Sequence, residues 1–161
     1  MAVDPPEVSL QPQVAQLNAE YARAIDDDRL EDWPEFFAEP CLYTITSADN
    51  HRQGLPGGLM YADSKGMLSD RVAALRKANI YERQTYRHVI GQSAILGKSA
   101  DGVRTETPFL VVRIMRDGRM DLFATGRYLD TVVEEAGRLR FRERVVVCDS
   151  SRVDTLLAIP L

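Results

Sequence analysis

His88 lies in the stretch TYRHVIGQS and is one of only two histidines in the chain. An imidazole on an apolar strand face, with Tyr86 two residues away on the same side, suits general acid–base chemistry because its ordinary pKa is near neutral. Alternation along the last strand puts Leu139, Phe141, Glu143, Val145 and Val147 on one face. If both faces look inward, Tyr86, His88, Phe141 and Glu143 line one cavity, where burial and pairing would shift both pKa values of a His88–Glu143 pair. The plainer alternative is a histidine that satisfies a neighbour, since buried polar groups are nearly always hydrogen-bonded.

Metal chemistry has little to work with. Cys41, Cys148, His51 and His88 are the whole stock of thiol and imidazole ligands, and they sit in isolated positions. A structural zinc site wants four converging ligands and a Rieske cluster wants two Cys and two His. A two-His, one-carboxylate iron site would require His51, in a glycine-rich loop, to reach the His88 strand. Phosphate-binding loops, dinucleotide fingerprints, serine elbows and HExxH helices are all missing from the sequence.

Two runs of charge stand out. Asp26, Asp27 and Asp28, followed by Glu31, Asp32, Glu35 and Glu39, lack the glycine of a calcium loop and suit helix ends, so they read as a solvated or partner-facing surface. Arg138, Arg140, Arg142 and Arg144 alternate, which aims all four at the side opposite Leu139, Phe141 and Val145. Either cross-strand acids such as Asp121 or Glu134 answer them, or a neighbouring subunit does. Arg87, opposite His88 on its strand, joins them as a candidate interface residue.

These groups must be carried by two kinds of element. Val14, Leu17, Tyr21, Ala24 and Ile25 recur at three- and four-residue spacing, which predicts an amphipathic helix from a Ser9 cap. A second short helix is expected in LEDWPEFFAEP, capped by Asp32 and burying Trp33, Phe36 and Phe37. CLYTITS reads as a strand, ADNHRQGLPGG as loop and GLMYAD as a short strand. A third helix follows an Asp63 or Ser64 cap, with Leu68, Val72, Leu75 and Ala78 inward and Asn79 as its stop. Strands are then expected at about 85 to 96, 104 to 116, 119 to 134 and 138 to 148, reversing at Asp117-Gly118 and Ala136-Gly137. Helices first and an antiparallel meander last means α+β: three helices against a strongly curved sheet, a cone with an internal hollow.

The chain's 161 residues, 45% hydrophobic and 27% charged, suit a single domain over 9–161 behind a mobile tail over 1–8. No apolar run is long enough to span a membrane, and the N-terminus has no secretory pattern, so a soluble, cytoplasmic protein is expected. Both cysteines are expected as small buried residues in a reducing compartment. The net charge of −4 argues against nucleic acid as a partner.

The stretches DDDRLEDWPEFFAEPCLYTI, YADSKGMLSDRVAALRKANIYERQTYRHVIG and LRFRERVVVCDSSRVDTLLAIPL together resemble the beta (small) subunit of aromatic-ring-hydroxylating dioxygenases. The most specific element is W-P-x-F-F, then C-x-Y, the D-R-V-x-x-L-R helix and the Y-R-H strand, in that order. The chain looks most similar to small subunits acting on aromatic carboxylates such as terephthalate, anthranilate or salicylate. The resemblance implies a nuclear transport factor 2-like cone and self-association as a trimer within a hexamer of three alpha and three beta subunits. It also implies that the alpha subunit carries the Rieske [2Fe-2S] cluster and the mononuclear Fe(II), and that the beta subunit has no catalytic residue, cofactor or metal. Two departures bear on the interface: a tight connection, LGKSADGVR, between Ile95 and Thr105, and a glycine-rich loop from Asp49 to Gly58. A free-standing isomerase, dehydratase or cyclase using His88 is the competing reading, with a small-molecule carrier behind it.

Overall fold

A computed structural model describes residues 6–55, 58–78, 84–150 and 159–161. Helix α1 (Pro6–Asp26) buries Val14, Leu17, Tyr21, Ala24 and Ile25, the stripe its spacing predicts. It begins at Pro6, so Ser9 lies inside the helix rather than capping it. Residues 1–5 of the expected tail lie outside the described residues.

The LEDWPEFFAEP segment forms a 3-10 helix (Leu30–Phe36), not an α-helix, and Asp32 sits within it rather than at its cap. Pro34 has no amide hydrogen to donate to the turn before it, so the α-helical ladder cannot form there. Phe37 already belongs to β1 (Phe37–Ser47). Helix α2 (Ala48–Arg52) replaces part of the expected loop, because the Ser47 hydroxyl caps it by accepting from the Asn50 amide at 3.2 Å. After β2 (Met60–Ala62), Ser64 caps α3 (Lys65–Lys77), which buries Leu68, Val72 and Leu75. The expected stop at Asn79 lies outside the described residues.

The rest is sheet: β3 (Gln84–Ile90), β4 (Ala94–Ser99), β5 (Gly102–Met115), β6 (Met120–Glu135) and β7 (Arg138–Cys148). The expected strand over 85 to 96 is split in two at Gly91. There the Gly91 amide bonds to Pro108 O at 2.8 Å, and a Cβ would meet Pro108 Cγ at 2.6 Å. The strand order is β2-β1-β7-β6-β5-β3, with β4 also paired to β5. Among the described strands only β1 and β7 run parallel, and the other pairs are antiparallel. Ala136 and Gly137, both at positive φ, make the β6–β7 reversal.

One irregularity decides the site. Along β6 and β7, Thr131 faces Glu143 but Val132 faces Phe141, which leaves Arg142 as an extra residue. Such a bulge reverses the side-chain alternation beyond it. Phe141 faces inward before the bulge, and Arg144 faces inward after it.

The core between helices and sheet is aromatic. Tyr21, Phe37, Tyr43, Tyr128 and Phe141 are fully enclosed, Trp33 nearly so, and Tyr21 meets Phe37, Tyr128 and Phe141 edge-on. Such contacts add about 1 kcal/mol each beyond the area they bury. Cys41 and Cys148 are free and buried, and burial pushes each thiol up to about 11.

Candidate functional site

The inner sheet face holds two buried acid–base clusters, both anchored on α1. Tyr86 and His88 point inward on β3 while Arg87 points out. Asp26, the last residue of α1, meets His88 twice: its Oδ1 is 2.7 Å from the ring Nδ1 and its Oδ2 accepts the His88 amide at 2.8 Å. The two side chains are 3% and 0% exposed. Asp26 therefore fixes the ring through one nitrogen and fastens α1 to β3. The His88 Nε2 is buried without a partner among the described residues.

The second cluster is built around Arg144. Its Nε and Nη2 donate to the two oxygens of Asp130 at 2.9 and 2.8 Å, directly across the β6–β7 ladder. Nη2 also donates to Asn18 Oδ1, and Asn18 Nδ2 reaches Ser93 Oγ at 3.2 Å, which contacts Thr107 Oγ1 at 2.6 Å. The guanidinium lies 3.8 Å from the ring centroids of Tyr128 and Phe141 and 4.4 Å from that of Tyr21. Planar cations stack well on aromatic faces, so one side chain joins an acid, an amide and three rings. Burial raises the Asp130 carboxyl pKa and Arg144 opposes that rise, so the acid depends on its partner for its charge.

The remaining interior is closed by residues 159–161. The Leu161 carbonyl accepts from Tyr21 OH at 2.8 Å and Tyr43 OH at 3.0 Å, and its amide donates to Tyr43 OH at 3.1 Å. Trp33 Nε1 donates to Tyr21 OH at 3.1 Å. Burial lifts the phenol pKa of Tyr21, Tyr43 and Tyr128, so they act as neutral donors.

The sequence-based candidates separate accordingly. Tyr86, His88 and Phe141 share the inner face, but Glu143 lies on the outer one, so His88 and Glu143 do not meet. The bulge at Arg142 is the cause. Arg144 is not an interface residue either: its side chain is 0% exposed, and the four-arginine row ends at the bulge. Arg140 is held by Glu35, through the backbone carbonyl at 3.1 Å and the carboxylate at 3.6 Å, and with Arg138 it borders a groove of about 840 Å³ beside α1. Arg142 borders a second groove, of about 490 Å³, at the β4–β5 turn. Arg87 is exposed.

Asp26, Asn18 and Asp130 are the functional neighbours that sequence reasoning passed over. Asp26 belongs to the acidic run expected on the surface, yet its side chain is only 3% exposed. Asn18 falls inside the apolar stripe of α1, and Asp130 falls on the inward alternation of β6; a polar residue in an apolar register was the available signal. Among the described residues, no three His, Cys, Asp or Glu side chains converge as a metal site.

A family model described as the ring hydroxylating beta subunit matches residues 20–155. The chain is 50% identical to a terephthalate 1,2-dioxygenase terminal oxygenase subunit beta from Comamonas sp., over 92% of this chain and 97% of that one. It is 41% identical to the anthranilate 1,2-dioxygenase small subunit of Burkholderia cepacia, over 92% of each. Among solved structures, one described as an aromatic-ring-hydroxylating dioxygenase beta subunit from Novosphingobium aromaticivorans superposes with a TM-score of 0.87 at 40% identity, over 96% of this chain and 98% of that one. The architecture is nuclear transport factor 2-like, with helices against a curved, unclosed sheet.

Proposed function

The chain belongs to the ring-hydroxylating beta-subunit family and is the beta subunit of an aromatic-ring-hydroxylating dioxygenase; within that role, we propose that it is the non-catalytic scaffold of an oxygenase acting on an aromatic carboxylate. The observation that carries the scaffold reading is the filled cone. Where a pocket enzyme would hold substrate, this interior holds Arg144 stacked among Tyr21, Tyr128 and Phe141, and the Leu161 backbone bonded to two tyrosines. His88 is engaged by Asp26 through both ring and backbone, and the free-standing enzyme built on His88 is not favoured.

The iron groups of such an oxygenase do not fit the side chains of this chain. His51 is exposed on α2, His88 is buried against Asp26, and each cysteine is buried separately with its thiol raised. The Rieske [2Fe-2S] cluster and the mononuclear Fe(II) therefore belong to an alpha subunit, with which this chain forms an α3β3 hexamer in the cytoplasm. Two features support the compartment: no helix among the described residues is long and apolar enough to cross a membrane, and both thiols are free. Terephthalate and anthranilate, named for the 50% and 41% identical relatives, set the substrate class.

Expression of this chain alone and together with the large subunit tests the proposal. The chain alone should be iron-free and inactive. The complex should carry the cluster's visible absorption, contain equal numbers of the two chains and oxidise an aromatic carboxylate. His88→Asn should leave kcat of the assembled complex unchanged. Turnover by this chain alone would overturn the scaffold reading.

A further inference from the structure

One end of the cone interior is built as a ligand site, and residues 159–161 fill it. Tyr21 of α1, Trp33 of the 3-10 helix and Phe37 and Tyr43 of β1 form its wall, each at most 1% exposed. The wall holds itself together: Tyr21 meets Phe37 edge-on at 6.4 Å, Trp33 meets Phe37 at 5.8 Å and Tyr43 at 5.0 Å, and Phe37 meets Tyr43 at 5.8 Å. Those contacts do not involve residues 159–161, so the wall keeps its shape when the segment is withdrawn.

Two phenols converge on one oxygen. Tyr21 OH and Tyr43 OH both donate to the Leu161 carbonyl, at 2.8 and 3.0 Å. Neighbouring N–H groups fix the direction of both bonds. An indole N–H donates and never accepts, so the 3.1 Å bond from Trp33 Nε1 occupies a lone pair of Tyr21 OH and leaves its hydrogen for Leu161. The Leu161 amide donates to Tyr43 OH at 3.1 Å with the same result. Burial raises both phenol pKa values, which keeps the hydrogens in place. An enclosed apolar wall with a few convergent polar groups is the usual build of a small-molecule site. What it holds here is a leucine at 0% exposure, an isobutyl group whose acyl oxygen sits between two donors.

We propose that residues 159–161 are an internal ligand of the cone, seated in a preformed site for a compound with a branched aliphatic body and one acyl oxygen, and that such a compound takes the site when the segment leaves it. The segment is thus a competitor in cis: in the intact chain it keeps small acyl compounds out of the interior. This goes beyond the scaffold reading and is independent of it, since it concerns the cone of the isolated chain and no contact with the large subunit.

The test compares the full chain with a variant lacking residues 159–161, by circular dichroism, melting temperature and titration calorimetry. The probes are acetyl-Ile-Pro-Leu, 4-methylpentanamide and 4-methylpentanoate, the last two carrying leucine's isobutyl body and acyl oxygen without its amine. The shortened chain should keep the wild-type circular dichroism, melt lower, and regain most of the lost melting temperature as the tripeptide saturates a single site. The two small probes should bind the same site more weakly, the tighter one showing whether the oxygen is taken neutral or charged. The full chain should bind none of the three. Tyr43→Phe in the shortened chain should weaken tripeptide binding about tenfold, because a hydrogen bond is lost. In the full chain, hydrogen exchange of the Leu161 amide should outpace that of the β6 and β7 amides, as a locally released segment requires. A Leu161 amide that exchanges only with global unfolding would make the segment ordinary core, and so would a shortened chain that the tripeptide cannot restore. Equal binding by the full chain, or binding indifferent to Tyr43→Phe, would place the probes elsewhere. Each of those results overturns the proposal.

Discussion

Arg144 and Arg76 make similar bonds in opposite surroundings. Arg144 donates two hydrogen bonds to Asp130 inside the cone, at zero exposure. Arg76, on α3, donates to Glu31 at 2.7 and 2.9 Å and to Asp28 at 2.9 and 3.0 Å, on the surface. Coulomb attraction at 4 Å is about 1 kcal/mol in water and about 4 kcal/mol at the effective dielectric near protein. Burial also removes hydration, so the inner pair is strong mainly in the sense that neither partner can be left alone. It acts on register: only the bulged pairing sets Arg144 across from Asp130, and a one-residue slip would bring Glu143 inside instead.

The largest expected effect therefore comes from Arg144→Ala. It leaves the Asp130 carboxylate buried without its cation and should cost about 3–5 kcal/mol in urea unfolding. The double replacement Arg144→Met with Asp130→Leu should recover most of that loss, because it removes both charges and keeps the volume. A single variant as stable as wild type would make the buried knot dispensable.

What the sequence revealed and what it hid follow the same division. The α1 stripe, the helices-then-sheet order and the glycine reversals were legible because each rests on local periodicity or turn chemistry. The bulge at Arg142 was not, because no glycine or proline marks it and it exists only relative to β6. That single hidden residue moved Glu143 out and Arg144 in, and so dissolved the expected His88–Glu143 pair. The actual partner of His88 was hidden differently: Asp26 sits in a run of three identical acids, of which burial selects the first. Helix α2 was missed although Ser47 and Asp49 carried its capping chemistry, because glycines and a proline a few residues on dominated the reading.

Asp26 and His88 fall between the two arginines in expected effect. Asp26→Ala strands the His88 amide and ring nitrogen away from water, which costs about 1–3 kcal/mol. Hydrogen exchange should show the β3 amides near His88 losing protection before those of β6 and β7. Uniform loss across the sheet would mean that the pair supports the whole fold rather than the α1–β3 seam.

The smallest effect belongs to the outer clamp, and pH gives it a sign. The Arg76 side chain, followed by a backbone hydrogen bond, lowers the Glu31 pKa from its ordinary 4.5 to about 2. A carboxylate depressed by folding contributes stability above its unfolded value and loses it as the pH falls through the folded one. The contribution should be complete above about pH 4.5 and gone below about pH 2. Glu31 is mostly exposed, so solvent screening holds it to about 1 kcal/mol or less. Glu31→Gln should thus lower stability slightly at pH 7, with the gap to wild type closing between pH 4.5 and 2 and shrinking in high salt. A gap that persists below pH 2 would mean that Glu31 works through packing against Arg76 rather than through its charge.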